Sequence, residues 1–180
     1  MTPQVTLETA DASDAELLSN LVELYIHDLS AMFPQVKLGK NGRYGYPELP
    51  SYLAGEKSRR AFVIRYEGEV AGFVLARRGS PASDDRDVLD IAEFFVLRQF
   101  RARGVGRAAA ARLWELMPGS WTVRASARNP AAVEFWRKAV TEHAGERATE
   151  SERIIGSSEW VVFCFDDSSQ VSGRIDEQCR

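Results

Sequence analysis

A basic, glycine-bearing turn between an apolar run and a helical pattern constrains this chain more than any other stretch. Ile91-Ala92-Glu93-Phe94-Phe95-Val96-Leu97 reads as a strand, Arg101-Ala102-Arg103-Gly104-Val105-Gly106-Arg107 as the turn, and Ala108 to Leu116 as an alanine-rich helix. The first turn of a helix has N–H groups with no intrahelical partner, and the helix dipole adds partial positive charge there. Such a turn is an anion site, with phosphate as its usual guest. Gly104 and Gly106 permit close backbone approach and a positive φ where the turn requires one. Arg101, Arg103 and Arg107 supply charge-assisted hydrogen bonds suited to phosphate oxygens. The spacing is not that of a Walker A loop, which needs a Lys-Ser/Thr pair, nor of a dinucleotide fingerprint, which has a third glycine. The glycines alone would mark only a tight connection; the arginines beside them favour phosphate.

The remaining pattern is that of one globular domain. A chain of 180 residues can bury a substantial core, and 44% hydrophobic with 27% charged residues is globular rather than disordered. The net charge of −3 argues against a nucleic-acid-binding domain. Cys164 and Cys179 offer no disulfide framework, and Cys164 alternates as a core-side thiol. With no signal-peptide pattern and no long apolar run, the expectation is a cytoplasmic protein with no membrane span. Val5 to Glu8 reads as a first strand. Ser13-Asp14-Ala15-Glu16 reads as a capping box with Ser13 as N-cap, followed by Leu18, Leu21, Val22, Tyr25 and Leu29 at helical spacing. His27 falls off that stripe and reads as a surface residue. The helix is expected to end near Phe33-Pro34. A loop, Gly39 to Pro47, and a short helix, Leu49 to Glu56, lead to strands at 61–66 and 70–76 joined by a tight turn at Glu67-Gly68-Glu69. Gly72, inside the second of these, marks a bulge or a close backbone approach. A fourth strand over 88–97, the turn and its helix, and a fifth strand over 121–126 follow. Asn129 and Pro130 cap a helix whose apolar face is Val133, Trp136 and Val140. Two strands around Gly156-Ser157-Ser158 close the pattern. Residues 1–166 make a single domain, and 167–180 a polar tail. The order β-α-α-β-β-β-α-β-α-β-β is α/β in class: a mixed sheet with helices on its faces.

Two segments carry a family resemblance. Arg101-x-x-Gly104-x-Gly106 resembles the pyrophosphate loop of the GNAT N-acetyltransferase superfamily. Asn129-Pro130-Ala131-Ala132-Val133-Glu134-Phe135-Trp136 is similar to that family's Asn-x-x-Ala-x-x-Phe-Tyr segment. The motifs are ordered over roughly residues 60 to 142, and the element order matches. The resemblance implies a GNAT-like acyl-CoA N-acyltransferase fold whose parallel fourth and fifth strands part to admit acetyl-CoA. The cofactor pyrophosphate would meet Arg101, Arg103, Gly104, Val105, Gly106 and Arg107. Its pantetheine arm would bond to backbone at Phe94, Phe95 and Val96 and reach Asn129, which as plain N-cap has an ordinary structural role too. A free N–H near Val96 or Leu97 would polarise the thioester carbonyl.

The implied reaction is transfer of acetyl from acetyl-CoA to a primary amine, most simply that of a small molecule, with no metal. Glu93 is the only carboxylate between Ile91 and Leu97, where burial favours its neutral form, and it is the candidate base; a solvent-facing strand-end glutamate is the alternative. Tyr44 and Tyr46, on the loop that borders the acceptor pocket in the family, are candidate substrate contacts. Trp136 stands where the family commonly has a proton-donating tyrosine, and indole is no useful acid. Either the thiolate leaves unaided, or Tyr25 or Tyr44 serves, or the chain binds acyl-CoA without turnover. A non-catalytic acyl-CoA sensor and a protein or peptide N-acetyltransferase therefore stand as alternatives. Partners are acetyl-CoA and an amine, without nucleic acid or membrane; a homodimer would suit the family, although no exposed apolar stripe marks an interface.

Overall fold

Strands form where the chain alternates or runs apolar, and helices where apolar residues recur every three or four positions. The computed structural model describes residues 4–167. In order, the elements are β1 (Val5–Thr9), α1 (Ala15–Ser30), α2 (Leu49–Leu53), β2 (Arg59–Tyr66), β3 (Glu69–Arg78), β4 (Leu89–Val96), α3 (Val105–Leu116), β5 (Ser120–Ser126), α4 (Pro130–Ala144), β6 (Thr149–Ile155) and β7 (Ser158–Asp166). The strands hydrogen-bond in the order β1-β2-β3-β4-β5-β7-β6. The sheet is mixed: β4 and β5 pair in parallel at Leu89↔Trp121 and Asp90↔Thr122, whereas β1–β2, β2–β3, β5–β7 and β6–β7 are antiparallel. The element order is the one expected from the sequence.

The chain divides into two units, Met1–Arg78 with Ile91–Ala109, and Gly79–Asp90 with Ala110–Arg180. In the first unit, α1 packs on β3 and α2 on β2. Leu18, Leu21 and Val22 of α1, Leu49, Tyr52 and Leu53 of α2, and Val63, Phe73, Leu75 and Phe95 of the strands form one buried cluster. The start of α1 corrects the sequence reading. The capping box belongs to Asp11 and Asp14: Asp11 Oδ1 accepts from the Ser13 N–H at 2.8 Å, and Asp14 Oδ2 accepts from the Asp11 N–H at 3.1 Å. Ser13 merely donates its hydroxyl to Asp11, because a 3-10 turn at 12–14 precedes the α-helix. The helix also stops at Ser30, short of Pro34.

The β2–β3 hairpin turns on Glu67 (φ 51°) and Gly68 (φ 82°), the two positive φ values that a type I′ turn demands. Close to that turn the register slips between Ile64 and Arg65, so Ala71 is left as an extra residue. The Ala71 carbonyl instead accepts the N–H of Leu97 at 2.8 Å. Gly72 fulfils both expectations placed on it. It sits at the bulge, and a Cβ there would lie 1.9 Å from the Phe95 carbonyl oxygen. Only a residue without a side chain lets β4 lie there.

In the second unit, α4 packs on β5 and β7. Trp114 is buried against Trp136, Phe165 and the His143 ring. Asp90 is fully buried and forms a two-pronged pair with Arg124, Nε to Oδ1 and Nη2 to Oδ2 at 2.9 Å each, while Ser80 Oγ donates to Oδ1. The Arg124 guanidinium also lies over the Trp160 ring. Asp167, assigned by composition to the tail, is buried and bonded to His143 and Arg147, so the fold extends through it. Its partners act on backbone as well as charge, since Arg147 also reaches the Asp166 carbonyl. The segment 168–180, and Cys179 with it, lies outside the described residues. Cys164 is half-buried on β7. No described helix is long and apolar enough to cross a membrane.

Two substitutions test these contacts. Gly72→Ala should lower stability by about 1–3 kcal/mol, the range for overpacking, seen as a lower urea midpoint at unchanged slope. Arg124→Met should cost about 3–5 kcal/mol in the same titration, because it strands the Asp90 charge in the interior.

Candidate active site

Glu93 is half-buried on β4, and its two carboxylate oxygens are held by different elements. The Tyr25 hydroxyl, from α1, donates to Oε2 at 2.5 Å. The Tyr46 hydroxyl, from the loop between α1 and α2, donates to Oε1 at 3.1 Å. Tyr25 is itself fixed by aromatic neighbours, edge-on to Phe73 at 5.8 Å and tilted on Phe95 at 5.7 Å. Tyr46 resists ionisation: burial first, then the Glu93 charge, hold its phenol well above the ordinary value. The Tyr52 hydroxyl, from α2, is buried with no hydrogen-bond partner among the described residues, and burial raises its pKa too.

The loop that delivers Tyr46 is anchored by Glu23 of α1. Its carboxylate accepts the backbone N–H of Tyr44 at 2.8 Å and of Gly45 at 2.9 Å, with Arg43 Nε at 3.4 Å. Burial opposes ionisation of Glu23, but these three donors outweigh it and lower its pKa. Tyr44 and Tyr46 therefore part company. The Tyr44 hydroxyl lies 3.3 Å from His27 Nδ1 and donates to Ser30 Oγ at 3.4 Å, on the exposed side of α1. Of the two tyrosines weighed as proton donors, Tyr25 bonds to Glu93, whereas Tyr44 gives its hydroxyl to Ser30.

Downstream of Glu93, β4 leads into the basic turn. Phe100 packs on Tyr66, ring centroids 5.6 Å apart, and seats the start of that turn. Arg101 is already occupied: Nε donates to the Val96 carbonyl at 2.7 Å, Nη2 to Asp28 Oδ2 at 2.7 Å, and the guanidinium lies 5.5 Å from the Phe95 ring centre. Arg98 takes the other Asp28 oxygen at 2.6 Å. Arg103 is exposed and makes no hydrogen bond or ion pair among the described residues. Ala102 (φ 59°) and Gly104 (φ 80°) take left-handed backbone on either side of Arg103, a rare conformation for alanine that costs roughly 1–2 kcal/mol. Val105 opens α3, with Gly106 and Arg107 in its first turn, and Ala108 is bonded to the Gly104 carbonyl. The N–H of Leu97 is engaged by Ala71, so it is not the free donor that the sequence reading allowed.

In the second unit, Asn129 caps α4, its side chain accepting from the Ala132 N–H at 3.1 Å, with Pro130 at the first helical position. Trp136 is buried and packs on Trp114 and Phe135. Among the described residues no group of three or more His, Cys, Asp or Glu side chains could hold a metal. The sequence did not single out Glu23, Asp28 or Tyr52. Glu23 and Asp28 look like solvated helix charges, and only their partners far along the chain reveal them.

The family model for the acetyltransferase (GNAT) family matches residues 21–140. Solved structures share the fold at low identity. An acetyltransferase from Thermus thermophilus is 18% identical with a TM-score of 0.63, covering 88% of this chain and 96% of its own. Spermidine N-acetyltransferase from Vibrio cholerae, in complex with CoA and spermine, is 14% identical with a TM-score of 0.62 over 94% and 99%. AAC(6')-Ib, in complex with paromomycin and acetyl-CoA, is 14% identical with a TM-score of 0.68 over 97% and 99%. Among curated proteins, mitogen-activated protein kinase kinase kinase 15 of Mus musculus is 25% identical over 125 residues, which are 68% of this chain and 9% of that protein.

Asp28 offers a test of how the basic turn is held. Burial would raise its pKa, but hydrogen bonds and charge from Arg98 and Arg101 outweigh that and lower it. A lowered folded-state value contributes stability above the ordinary aspartate pKa, about pH 4, and loses it as pH falls through the folded value. Both arginines are exposed, so screening limits the effect. Asp28→Asn should cost about 1 kcal/mol at neutral pH, and urea titrations should show the deficit closing on acidification below about pH 4.

Proposed function

The chain belongs to the GNAT acetyltransferase family, and from that premise we propose that it transfers the acetyl group of acetyl-CoA to the primary amine of a small molecule, with Glu93 as the base. The observation that carries the reading is the placement of Glu93 on β4, a short step upstream of the anion-type turn that follows the strand and opens α3. Bound acetyl-CoA would supply an activated acyl thioester; the chain's residues bind it, orient the amine and move its proton.

The turn suits a pyrophosphate. Its φ values run positive at Ala102, negative at Arg103 and positive at Gly104, the kind of alternation that points successive N–H groups to one side. The start of α3 adds its own N–H groups and dipole. Arg103 is the cation in hand for phosphate, and Arg107 and the backbone of Val105 and Gly106 flank it. Arg101 acts one step removed: by tying the Val96 carbonyl to Asp28 it holds the turn in place. Backbone at Phe94, Phe95 and Val96 remains the proposed track for the pantetheine arm.

An amine at neutral pH is mostly protonated, and a carboxylate that takes a proton from it readies the nitrogen for attack. Glu93 is such a group. The loop carrying Tyr44 and Tyr46, anchored by Glu23, supports a small acceptor rather than a chain laid in a groove. A second reading has one observation in its favour: Trp136 is core packing, so the position that usually carries the family's acid supplies none. In that reading the chain binds acyl-CoA without turnover.

Release of free CoA, followed with a thiol reagent, decides between them. The panel is benzylamine, spermidine, glucosamine and a peptide with an N-terminal alanine. The enzyme reading expects turnover with one of the first three amines, reduced about 10²-fold or more in Glu93→Gln while acetyl-CoA still binds. Binding without turnover on the whole panel supports the sensor, and turnover on the peptide alone a protein-modifying enzyme. Arg103→Glu should weaken CoA binding by about 1.5–3 kcal/mol in calorimetry; undiminished binding removes Arg103 from the phosphate site.

A further inference from the structure

We infer that Tyr25 and Tyr46 are positioning residues for Glu93, a two-sided phenol clamp that holds its carboxylate ionised and aimed. The inference rests on Glu93 being the base. Each carboxylate oxygen accepts one phenol hydrogen bond, Oε2 from Tyr25 at 2.5 Å and Oε1 from Tyr46 at 3.1 Å. A carboxylate has about four acceptor sites. Two phenols, one on each oxygen, prevent the side chain from swinging away.

Neither phenol is free to leave. Tyr25 is wedged between Phe73 and Phe95, which are buried in the core of the first unit. Tyr46 is carried on a loop whose backbone Glu23 grips at Tyr44 and Gly45. Tyr46 also stays a donor, since its ionisation is suppressed by burial and by the Glu93 charge. The charged form of a carboxylate gains from such donors, whereas partial burial works against it. The clamp thus counters desolvation by donating two hydrogen bonds to the charged form. Titratable groups facing Glu93 include Tyr25 on α1, Tyr46 on the loop and Tyr52 on α2; Glu48 acts on Tyr46 and Tyr52, and Arg59 and Arg77 act on Tyr52.

The test follows the Glu93 carboxyl itself. Carbon NMR on protein labelled at the glutamate carboxyl gives its titration midpoint, with Glu93→Gln identifying the line. Removing a donor to the charged form destabilises that form. Tyr25→Phe should therefore raise the midpoint by about one pH unit, and Tyr46→Phe, with the longer bond, by less. The acid limb of turnover, measured with the fastest amine of the panel above, should move up by the same amount in each variant. A purely structural role would lower stability and leave the midpoint alone. Unmoved midpoints in variants that keep their circular dichroism and urea transition overturn the clamp; should Tyr25→Phe not fold, Tyr46→Phe decides by itself. The two failures are separable. Unmoved midpoints with an inactive Glu93→Gln overturn the clamp and leave the base standing. Full turnover in Glu93→Gln overturns the base, and with it the role given to the clamp.

Discussion

The placement of β4 against β3 is the constraint on which the rest of the first unit depends. A backbone carbonyl, that of Phe95, occupies the space where residue 72 would otherwise carry a side chain. The bulge at Ala71 turns another carbonyl toward Leu97 and fixes the strand lengthwise. With β4 pinned in both directions, everything read from it is placed: Glu93 below, the Phe95 ring beneath the Arg101 guanidinium, and the Val96 carbonyl that Arg101 grips. A missing Cβ on one strand thereby fixes the position of a carboxylate and a basic turn on the next.

Helix α1 supplies the opposite wall with three polar residues close together on one element. Glu23 holds the loop, Tyr25 holds Glu93 and Asp28 holds Arg98 and Arg101. Glu23 and Tyr25, two apart, point to different sides of the helix, whereas Asp28, three beyond Tyr25, shares its side about one turn further along, which is how one helix serves three neighbours. For both carboxylates, burial opposes ionisation and loses to the donors gathered on it. That balance separates a working surface charge from a solvated one.

Much of the fold was legible because it rests on local signals. The hairpin at Glu67-Gly68, the Asn129-Pro130 cap and the Gly72 approach follow from backbone preferences of single residues, and the structure bears each of them out. The α1 cap was misread because Ser13 and Asp11 both suit an N-cap, and only the intervening 3-10 turn chooses between them. The site was legible in part. Glu93 stood out as a lone carboxylate in an apolar strand, whereas its partners lie far away in sequence. Arg101 showed the limit of motif reading: residue type marks it as a phosphate ligand, yet the geometry gives its guanidinium to Asp28 and a carbonyl. Long-range pairing of that kind leaves no trace in spacing.

The way Glu23 holds the loop has a consequence for how such a protein can change. Its carboxylate grips backbone N–H groups at Tyr44, where any residue but proline would present one, and at Gly45, whose φ of 74° favours glycine. The side chains around those positions can be exchanged while the path of the loop is retained. A few loop positions can thus be relettered with the anchoring carboxylate and the scaffold beneath it left as they are.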